Sequence, residues 1–329
     1  MPKDLENPVA ALAQMASAPF AQAMAMPPAV YTSQEFLDLE RAHIFHKEWI
    51  CVGRASAWTA DQPVREFDVT GAAIRVTRAA DGSLTAQGGD APVRCETWLG
   101  WVYISLDPGI APVSERLSAL AGLIERYDME NYVETFFETH VWDTNWKILA
   151  ENFMESYHLP VCHAGTVGAF TDLDRVECPE GAPHFNIHWF NKDAALAIGN
   201  AHPENTRLTG EERGISALVV IYPGHMITLT PGYFWYLSLQ PEAPGRVRMW
   251  FGGGFDKHFT ADPRHAEYDA MFRALLVDVN IEDRGCTEKV FRGVSSGMAV
   301  PGHLSHLERP IYDFANYLSG RMAGAGAAD

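Results

Sequence analysis

Cysteine is scarce in this sequence, and its cysteines lack the spacing that would let them act together. The 329 residues contain five cysteines, namely Cys51, Cys95, Cys162, Cys178 and Cys286. No two of them form a C-x-x-C pair, and none stands in a C-x-H or C-x-x-H pattern. An odd number without framework spacing excludes a disulfide scaffold and indicates a reducing compartment, so we expect a cytoplasmic protein.

Basic residues are also few, and no apolar run is long. The 25 Lys and Arg face 42 Asp and Glu, which gives a net charge of −17. That balance argues against nucleic acid and anionic membrane surfaces as partners. The Ala- and Met-rich stretch 9–26 is interrupted by polar residues and lacks the basic start of a signal peptide, so we predict no membrane span. A hydrophobic content of 47% is typical of a packed globular protein.

A dense mixture of polar and aromatic residues occupies positions 145–163, NWKILAENFMESYHLPVCH. Its apolar residues recur at helical spacing, and its polar residues fall on another face. These polar residues are Glu151, Asn152, Glu155 and His158. We predict one helix that reaches His158 and is ended by Pro160, with His163 in the turn beyond. Neutral imidazoles are the commonest metal ligands, so the pattern favours a metal site; a solvated helix face is the alternative.

A third ligand is predicted far along the chain. Residues 264–290 have the periodicity of a long helix, and Asp283 falls on its apolar stripe. The stripe consists of Tyr268, Phe272, Leu275, Leu276, Val279, Cys286 and Val290. An inward acid needs a partner, which is either a metal held by His158 and His163 or an arginine such as Arg284 or Arg292. Two His and one carboxylate form the facial triad of non-haem Fe(II) sites.

The motif Glu155-x-x-His158-x-x-x-x-His163 resembles the catalytic-domain signature of Rieske-type non-haem iron oxygenase alpha subunits. The resemblance extends over residues 35–56, 95–108, 280–296 and 309–322. It implies that His158, His163 and Asp283 hold one Fe(2+), and that Glu155 bridges electron transfer to this iron from a neighbouring subunit. Glu155 and Asn152 are the candidate catalytic residues. Glu instead of the commoner Asp at position 155 is similar to members that act on quaternary amines.

The chain departs from that family in one respect. The family binds a [2Fe–2S] cluster through C-x-H followed by C-x-x-H, and this sequence has neither half. Strand-like segments 67–87 and 92–107 are separated only by Gly88-Gly89-Asp90-Ala91. Because glycine suits a tight hairpin, we predict a short turn in place of the cluster-binding subdomain, and no [2Fe–2S] cluster. A natural loss and an engineered deletion both remain open.

The predicted fold class is α+β. Strands expected at 133–141, 185–190, 217–222, 226–230, 233–240 and 246–255 precede the long C-terminal helix. An antiparallel sheet wrapped on such a helix is the helix-grip (START/Bet v1-like) fold, which the family resemblance also implies. We divide the chain into an arm (1–34), a truncated Rieske-like β-domain without a cluster site (35–107), a catalytic iron domain (108–322) and a disordered tail (323–329).

These features predict a mononuclear non-haem Fe(II) oxygenase or oxidase that uses O2 to hydroxylate or oxidatively demethylate a small organic substrate. Both the aromatic compounds of hydrocarbon catabolism and amines remain open as substrates. Without a cluster, electrons come from an electron-transfer protein or a Rieske-containing subunit, from peroxide, or from the substrate. Family members are commonly trimers, so a homotrimer is implied. The alternatives are a non-catalytic helix-grip ligand-binding protein, a partner subunit of an intact oxygenase, and an engineered cluster deletion.

Overall fold

The computed structural model describes residues 7–89, 91–191 and 197–323, and within them the chain forms two antiparallel sheets. The first sheet has six strands in the order β1-β6-β5-β4-β3-β2. These strands are β1 (Ile50–Arg54), β2 (Val64–Val69), β3 (Ala72–Arg78), β4 (Leu84–Gly88), β5 (Ala91–Trp98) and β6 (Trp101–Ser105). The alternation of buried and exposed residues in β2 and β3 explains why they pair as strands with one face on the core.

Two tight turns that connect strands of this sheet contain a glycine with a positive φ. Gly82, between β3 and β4, has φ +87°, and Gly89, after β4, has φ +59°. Both angles lie in the left-handed region that glycine adopts without steric cost. Gly88 pairs with Ala91, so β4 and β5 form the hairpin that was predicted there. Asp90, which belongs to the same predicted turn, lies outside the described residues.

The second sheet has seven strands in the order β7-β13-β12-β11-β10-β9-β8. They are β7 (Val133–Trp142), β8 (Val176–Glu177), β9 (Phe185–Phe190), β10 (Ser216–Ile221), β11 (His225–Leu229), β12 (Tyr233–Ala243) and β13 (Arg246–Phe255). Side chains alternate between its faces. Tyr236 packs on Trp101 of the first sheet at 4.7 Å between rings, whereas Trp235 packs on Phe153 at 5.6 Å. The predicted antiparallel sheet is therefore confirmed, and its two faces have different neighbours.

The helices include the long one predicted near the C-terminus. They are α1 (Pro8–Ala16), α2 (Pro28–Thr32), α3 (Gln34–Glu40), α4 (Val113–Arg116), α5 (Ser118–Ile124), α6 (Trp146–Met154), α7 (Leu159–Cys162), α8 (Lys257–Ala261), α9 (His265–Val294) and α10 (Arg309–Met322). Phe272, Leu276 and Val279 of α9 are buried as expected. Val290 is 51% exposed, because near this end Thr287 faces inward instead and its carbonyl accepts a hydrogen bond from Thr144.

The predicted single helix through His158 is wrong. α6 ends at Met154, and Glu155 is extended, with φ −128° and ψ 160°. The chain turns before α7 begins at Leu159, and Pro160 lies in the first turn of α7, where a missing N–H costs nothing. His158 therefore precedes a new helix instead of closing the old one. Tyr157 would continue the apolar stripe of Trp146, Leu149 and Phe153 in an unbroken helix, but it is 45% exposed because the helix has already ended.

The remaining segments differ from expectation in detail. Between the two sheets, the helical segment 113–124 is broken at Leu117 into α4 and α5. The arm is docked, since α1 packs against α10 and buries Leu12. Residues 324–329 of the predicted tail lie outside the described part of the chain. Among the described residues, no helix has both the length and the apolar character needed to cross a membrane.

Candidate metal centre

Asn145 fixes the start of α6, which leads to the predicted ligands. Its side-chain oxygen accepts the N–H of Lys147 at 2.9 Å, and its amide donates to the carbonyls of Tyr31 and Pro244, both at 2.8 Å. The Lys147 ammonium is buried and lies 2.7 Å from a carboxylate oxygen of Glu40, which is buried as well. The bond to Lys147 satisfies one orphan N–H of the helix start, and the contacts with Tyr31 and Glu40 hold α6 against α2 and α3.

The three predicted ligands lie together. One ligand atom from each of His158, His163 and Asp283 falls within 4.8 Å of the others. Oδ1 of Asp283 is 2.9 Å from Nε2 of His163 and 3.8 Å from Nε2 of His158. The His158 and His163 side chains are 12% and 1% exposed, and that of Asp283 is 14% exposed. Two imidazole nitrogens and one carboxylate oxygen are the donor set of non-haem Fe(II) sites that keep open positions.

Each ligand is oriented by a further polar group. Nδ1 of His158 forms a short hydrogen bond with a carboxylate oxygen of Glu155, whose other oxygen accepts the backbone N–H of His158 at 3.1 Å. The amide of Asn152 donates to Oδ1 of Asp283 at 2.8 Å. The two predicted catalytic residues therefore both contact predicted ligands. A carboxylate on the second nitrogen of a ligating histidine fixes its tautomer and leaves Nε2 free for a metal.

Glu282 plays the same part for His163, and the sequence pattern did not predict it. Its Oε2 lies 2.7 Å from Nδ1 of His163, and the hydroxyl of Thr166 donates to the same oxygen at 2.6 Å. Its position beside Asp283 is the only signal in the sequence, and this signal points the other way because adjacent residues on a helix are rotated about 100° apart. His163 reaches both carboxylates because its ring lies between them, with one nitrogen on each side.

The electrostatics of the site favour a bound cation. Burial by itself lowers the pKa of His163, but the hydrogen bonds and charges of Asp283 and then Glu282 outweigh it and raise the pKa above its ordinary value. In the metal-free protein, these carboxylates therefore hold a proton on the imidazole. Metal binding requires the neutral imidazole and displaces that proton. The residues present thus fit a divalent metal in both chemistry and charge.

Arg284, one of the two arginines considered as an alternative partner for Asp283, is engaged elsewhere. The Arg284 guanidinium donates to Glu288 at 2.8 Å, one turn along α9.

Two further histidines lie near the sheet and differ in burial. His184 directly precedes β9 and is half-buried, and His188 lies within β9. The ring of His184 lies 2.9 Å from the guanidinium of Arg116, whereas His188 is fully buried and faces the same side of the sheet as residues around the triad. Burial, with a smaller effect of His158, lowers the pKa of His188 to about 3.

A cavity of about 160 Å³ adjoins the triad between the second sheet, α7 and α9. His158, His163 and Asp283 all line it. Its apolar walls come from the helices and the sheet and include Phe153, Leu159, Phe190, Leu218, Trp235, Leu275, Leu276 and Val279. Its polar lining includes Asn152, Thr171, Ser216, Thr228 and Thr230. A mostly apolar space beside a metal site is suited to a small organic molecule.

Comparison with known proteins gives a family match. The model of the ring hydroxylating alpha subunit (catalytic domain) family matches residues 125–324. The carnitine monooxygenase oxygenase subunit of Escherichia coli K12 is 23% identical over 270 residues, which cover 64% of this chain and 68% of that protein. Putrescine 2-hydroxylase of Bordetella bronchiseptica is 27% identical over 179 residues, which cover 51% of this chain and 40% of that protein.

Solved structures show the same fold. The quaternary ammonium Rieske monooxygenase CntA, in complex with L-carnitine, superimposes with a TM-score of 0.75 at 17% identity, covering 94% of this chain and 98% of that one. Naphthalene 1,2-dioxygenase from Rhodococcus superimposes with a TM-score of 0.70 at 15% identity, covering 91% and 94%. At these identities the similarity is evidence of the shared architecture alone.

Proposed function

The chain belongs to the ring hydroxylating alpha subunit family, and from that premise we propose that it is a mononuclear non-haem Fe(II) oxygenase or oxidase of a small organic substrate. The observation that carries the proposal is the convergence of His158, His163 and Asp283 at one end of an apolar cavity. The relatives are named monooxygenases and a hydroxylase, so the chain is an oxidoreductase that acts with O2. Fe(II) held by the triad supplies the centre at which O2 is activated.

The protein residues around the triad have distinct roles in this proposal. Glu155 and Glu282 hold His158 and His163 in the tautomer that leaves Nε2 free. Asn152 donates to Asp283 and fixes the orientation of its carboxylate. The apolar cavity walls exclude water and hold the substrate beside the ligands. Glu155 also occupies the position through which family members pass electrons to the iron, and we assign it that second role.

We propose that the electron source is the part of the function in which this chain departs from its family. The sequence has neither C-x-H nor C-x-x-H, and β4 and β5 are joined by a tight turn in the region where the family has its cluster site. We therefore propose a truncated Rieske-like β-domain over residues 35–107, after an arm at 1–34, and a helix-grip catalytic domain at 108–322. Electrons then come from a partner protein or Rieske-containing subunit, from peroxide, or from the substrate. A homotrimer would bring neighbouring subunits to Glu155.

Metal and sulfide analysis tests the proposal directly. Protein purified without oxygen and loaded with Fe(II) is expected to hold one iron per chain and no acid-labile sulfide. His163→Ala should abolish iron binding and leave the circular dichroism spectrum unchanged. His303→Ala removes an exposed histidine and is the matched control, which should keep its iron. Retention of stoichiometric iron by His163→Ala, or any sulfide in the native protein, would contradict the proposal.

Turnover distinguishes the enzyme from a non-catalytic ligand-binding or partner subunit. Oxygen consumption and product formation are measured with the iron-loaded protein, first with a reductase and ferredoxin and then with hydrogen peroxide. The substrates of the relatives, L-carnitine, glycine betaine and putrescine, are tested beside naphthalene. Product that depends on both iron and substrate supports the oxygenase. A protein that binds iron but forms no product with any electron source supports the non-catalytic alternative.

A further inference from the structure

Two hydroxyl groups lie on the sheet side of the cavity, facing the helices that carry the metal ligands. Ser216 on β10 and Thr228 on β11 both line the cavity and are 8% and 9% exposed. Leu218 pairs with Thr228 across the strands, and Thr228 pairs with Trp235. Directly paired residues place their side chains on the same face of a sheet. The register therefore fixes both hydroxyls on the face that the cavity shares with Leu218 and Trp235.

Neither hydroxyl has a hydrogen-bond partner among residues 7–89, 91–191 and 197–323. Thr230, two residues beyond Thr228, also lines the cavity but is fully engaged: its hydroxyl donates to the carbonyl of Tyr233 and accepts the N–H of the same residue, both at 2.9 Å. A hydroxyl removed from water without a partner costs free energy. The hydroxyls of Ser216 and Thr228 can therefore form hydrogen bonds with a molecule in the cavity, whereas that of Thr230 is already bonded to the backbone of Tyr233.

The charges and size of the cavity narrow the chemistry of that molecule. Among its described lining residues, the carboxylates of Glu155 and Asp283 are bonded to His158 and His163, and neither lysine nor arginine lines the cavity. A substrate carboxylate would therefore find no lysine or arginine to pair with and would lie beside two protein carboxylates, so it is disfavoured, in contrast to the relatives named for carnitine and glycine betaine. The volume of about 160 Å³ is close to that of a protein cavity that accommodates benzene. The space thus suits a molecule about the size of one six-membered ring.

We propose that Ser216 and Thr228 are specificity-determining residues, which exchange hydrogen bonds with a hydroxyl or carbonyl oxygen of a small uncharged substrate and so set which of its atoms faces the triad. This assignment rests on the proposed function, since it takes the cavity to be the substrate site. The hydroxyls lie on the sheet and the ligands on the helix side, so a molecule held by its oxygen at one end presents its other end to the metal.

Binding of two isosteric probes to the iron-free protein tests the assignment. Phenol and toluene have nearly the same shape, but only phenol has a hydroxyl group. The native protein should bind phenol about tenfold more tightly, which is the order expected for one or two well-placed hydrogen bonds. Ser216→Ala and Thr228→Val should each reduce this ratio, and the double variant should bring it to about one. Benzoate, which adds a negative charge to the same ring, should bind more weakly than phenol.

Thr230→Val is the matched control, because it removes a hydroxyl that lines the same cavity but serves the fold. It should lower the midpoint of thermal unfolding and keep the preference for phenol, whereas Thr228→Val should leave that midpoint unchanged or raise it. An unchanged phenol-to-toluene ratio in the double variant would overturn the assignment. The assignment would also be overturned if the native protein bound neither phenol nor toluene at millimolar concentration, or if it bound benzoate more tightly than phenol. Because these measurements use iron-free protein, they are separate from the iron count that tests the proposed function.

Discussion

Replacement of Glu282 by glutamine should weaken iron binding although Glu282 is not a proposed ligand. Its carboxylate accepts from Nδ1 of His163 at 2.7 Å and from the hydroxyl of Thr166 at 2.6 Å. His163 is 1% exposed, so no water replaces the lost charge on that side of the ring. Glutamine has the same shape and still offers an oxygen, but it supplies no negative charge to make the imidazole a stronger donor to the metal.

The magnitude follows from the behaviour of such carboxylate–histidine pairs. Loss of the outer partner of a metal-bound histidine typically costs ~10–100-fold in metal affinity. This corresponds to about 1.4–2.7 kcal/mol at 25 °C. Thr166→Val should have a smaller effect in the same direction, because it removes only the hydroxyl that holds the carboxylate of Glu282 in place.

Competition with a chelator under anaerobic conditions measures the affinity. Glu267→Gln provides the matched control, since Glu267 lies on the same helix in an exposed ion pair with Arg264. Its iron affinity should equal that of the native protein. If Glu282→Gln bound iron with an affinity within about twofold of the native value, the hydrogen bond between Glu282 and His163 would have no role in setting the iron affinity, and the prediction would be refuted. An equal loss of affinity in Glu282→Gln and Glu267→Gln would indicate a general effect of charge and would also refute the prediction.

Three further predictions concern stability. Lys147→Met leaves the Glu40 carboxylate buried without its ammonium partner at 2.7 Å and should cost ~3–5 kcal/mol in urea unfolding; the double variant with Glu40→Met should recover most of the loss. Burial raises the pKa of Glu151 from 4.5 to about 7, so the stability of the fold is lost as the pH rises between these two values and is restored as the pH falls below 4.5. Glu151→Gln should thus gain ~3 kcal/mol at about pH 8 and less than about 1 kcal/mol near pH 5, and an equal effect at both would contradict the raised pKa. Fe(II) at ~100 times its Kd should raise the free energy of unfolding of the native protein by about 2.7 kcal/mol. The same concentration should not stabilise His163→Ala, and thermal unfolding with and without a chelator measures both effects.

The sequence by itself determined the strands of the second sheet, the long helix and the three residues that the structure brings together. Apolar periodicity depends on local geometry, so the strands at Phe185–Phe190 and Arg246–Phe255 were predicted with their observed bounds, and the long helix was predicted to within a few residues. The E-x-x-H-x-x-x-x-H spacing, together with an acid on an inward stripe, identified His158, His163 and Asp283 because each feature lies within one short segment. Their convergence was inferred, and the tertiary structure brings them within 4.8 Å.

Tertiary structure alone decided how these residues are supported. The end of α6 at Met154 was not predicted because Glu155 leaves the helix to bond with His158, a contact that local propensity does not describe. Glu282 reaches His163 only because two segments 119 positions apart pack together. The hydroxyls of Ser216 and Thr228 face the cavity because of strand register, and a shift of one residue would turn both to the opposite face. Such contacts depend on how elements dock, which the pattern within a single element does not specify.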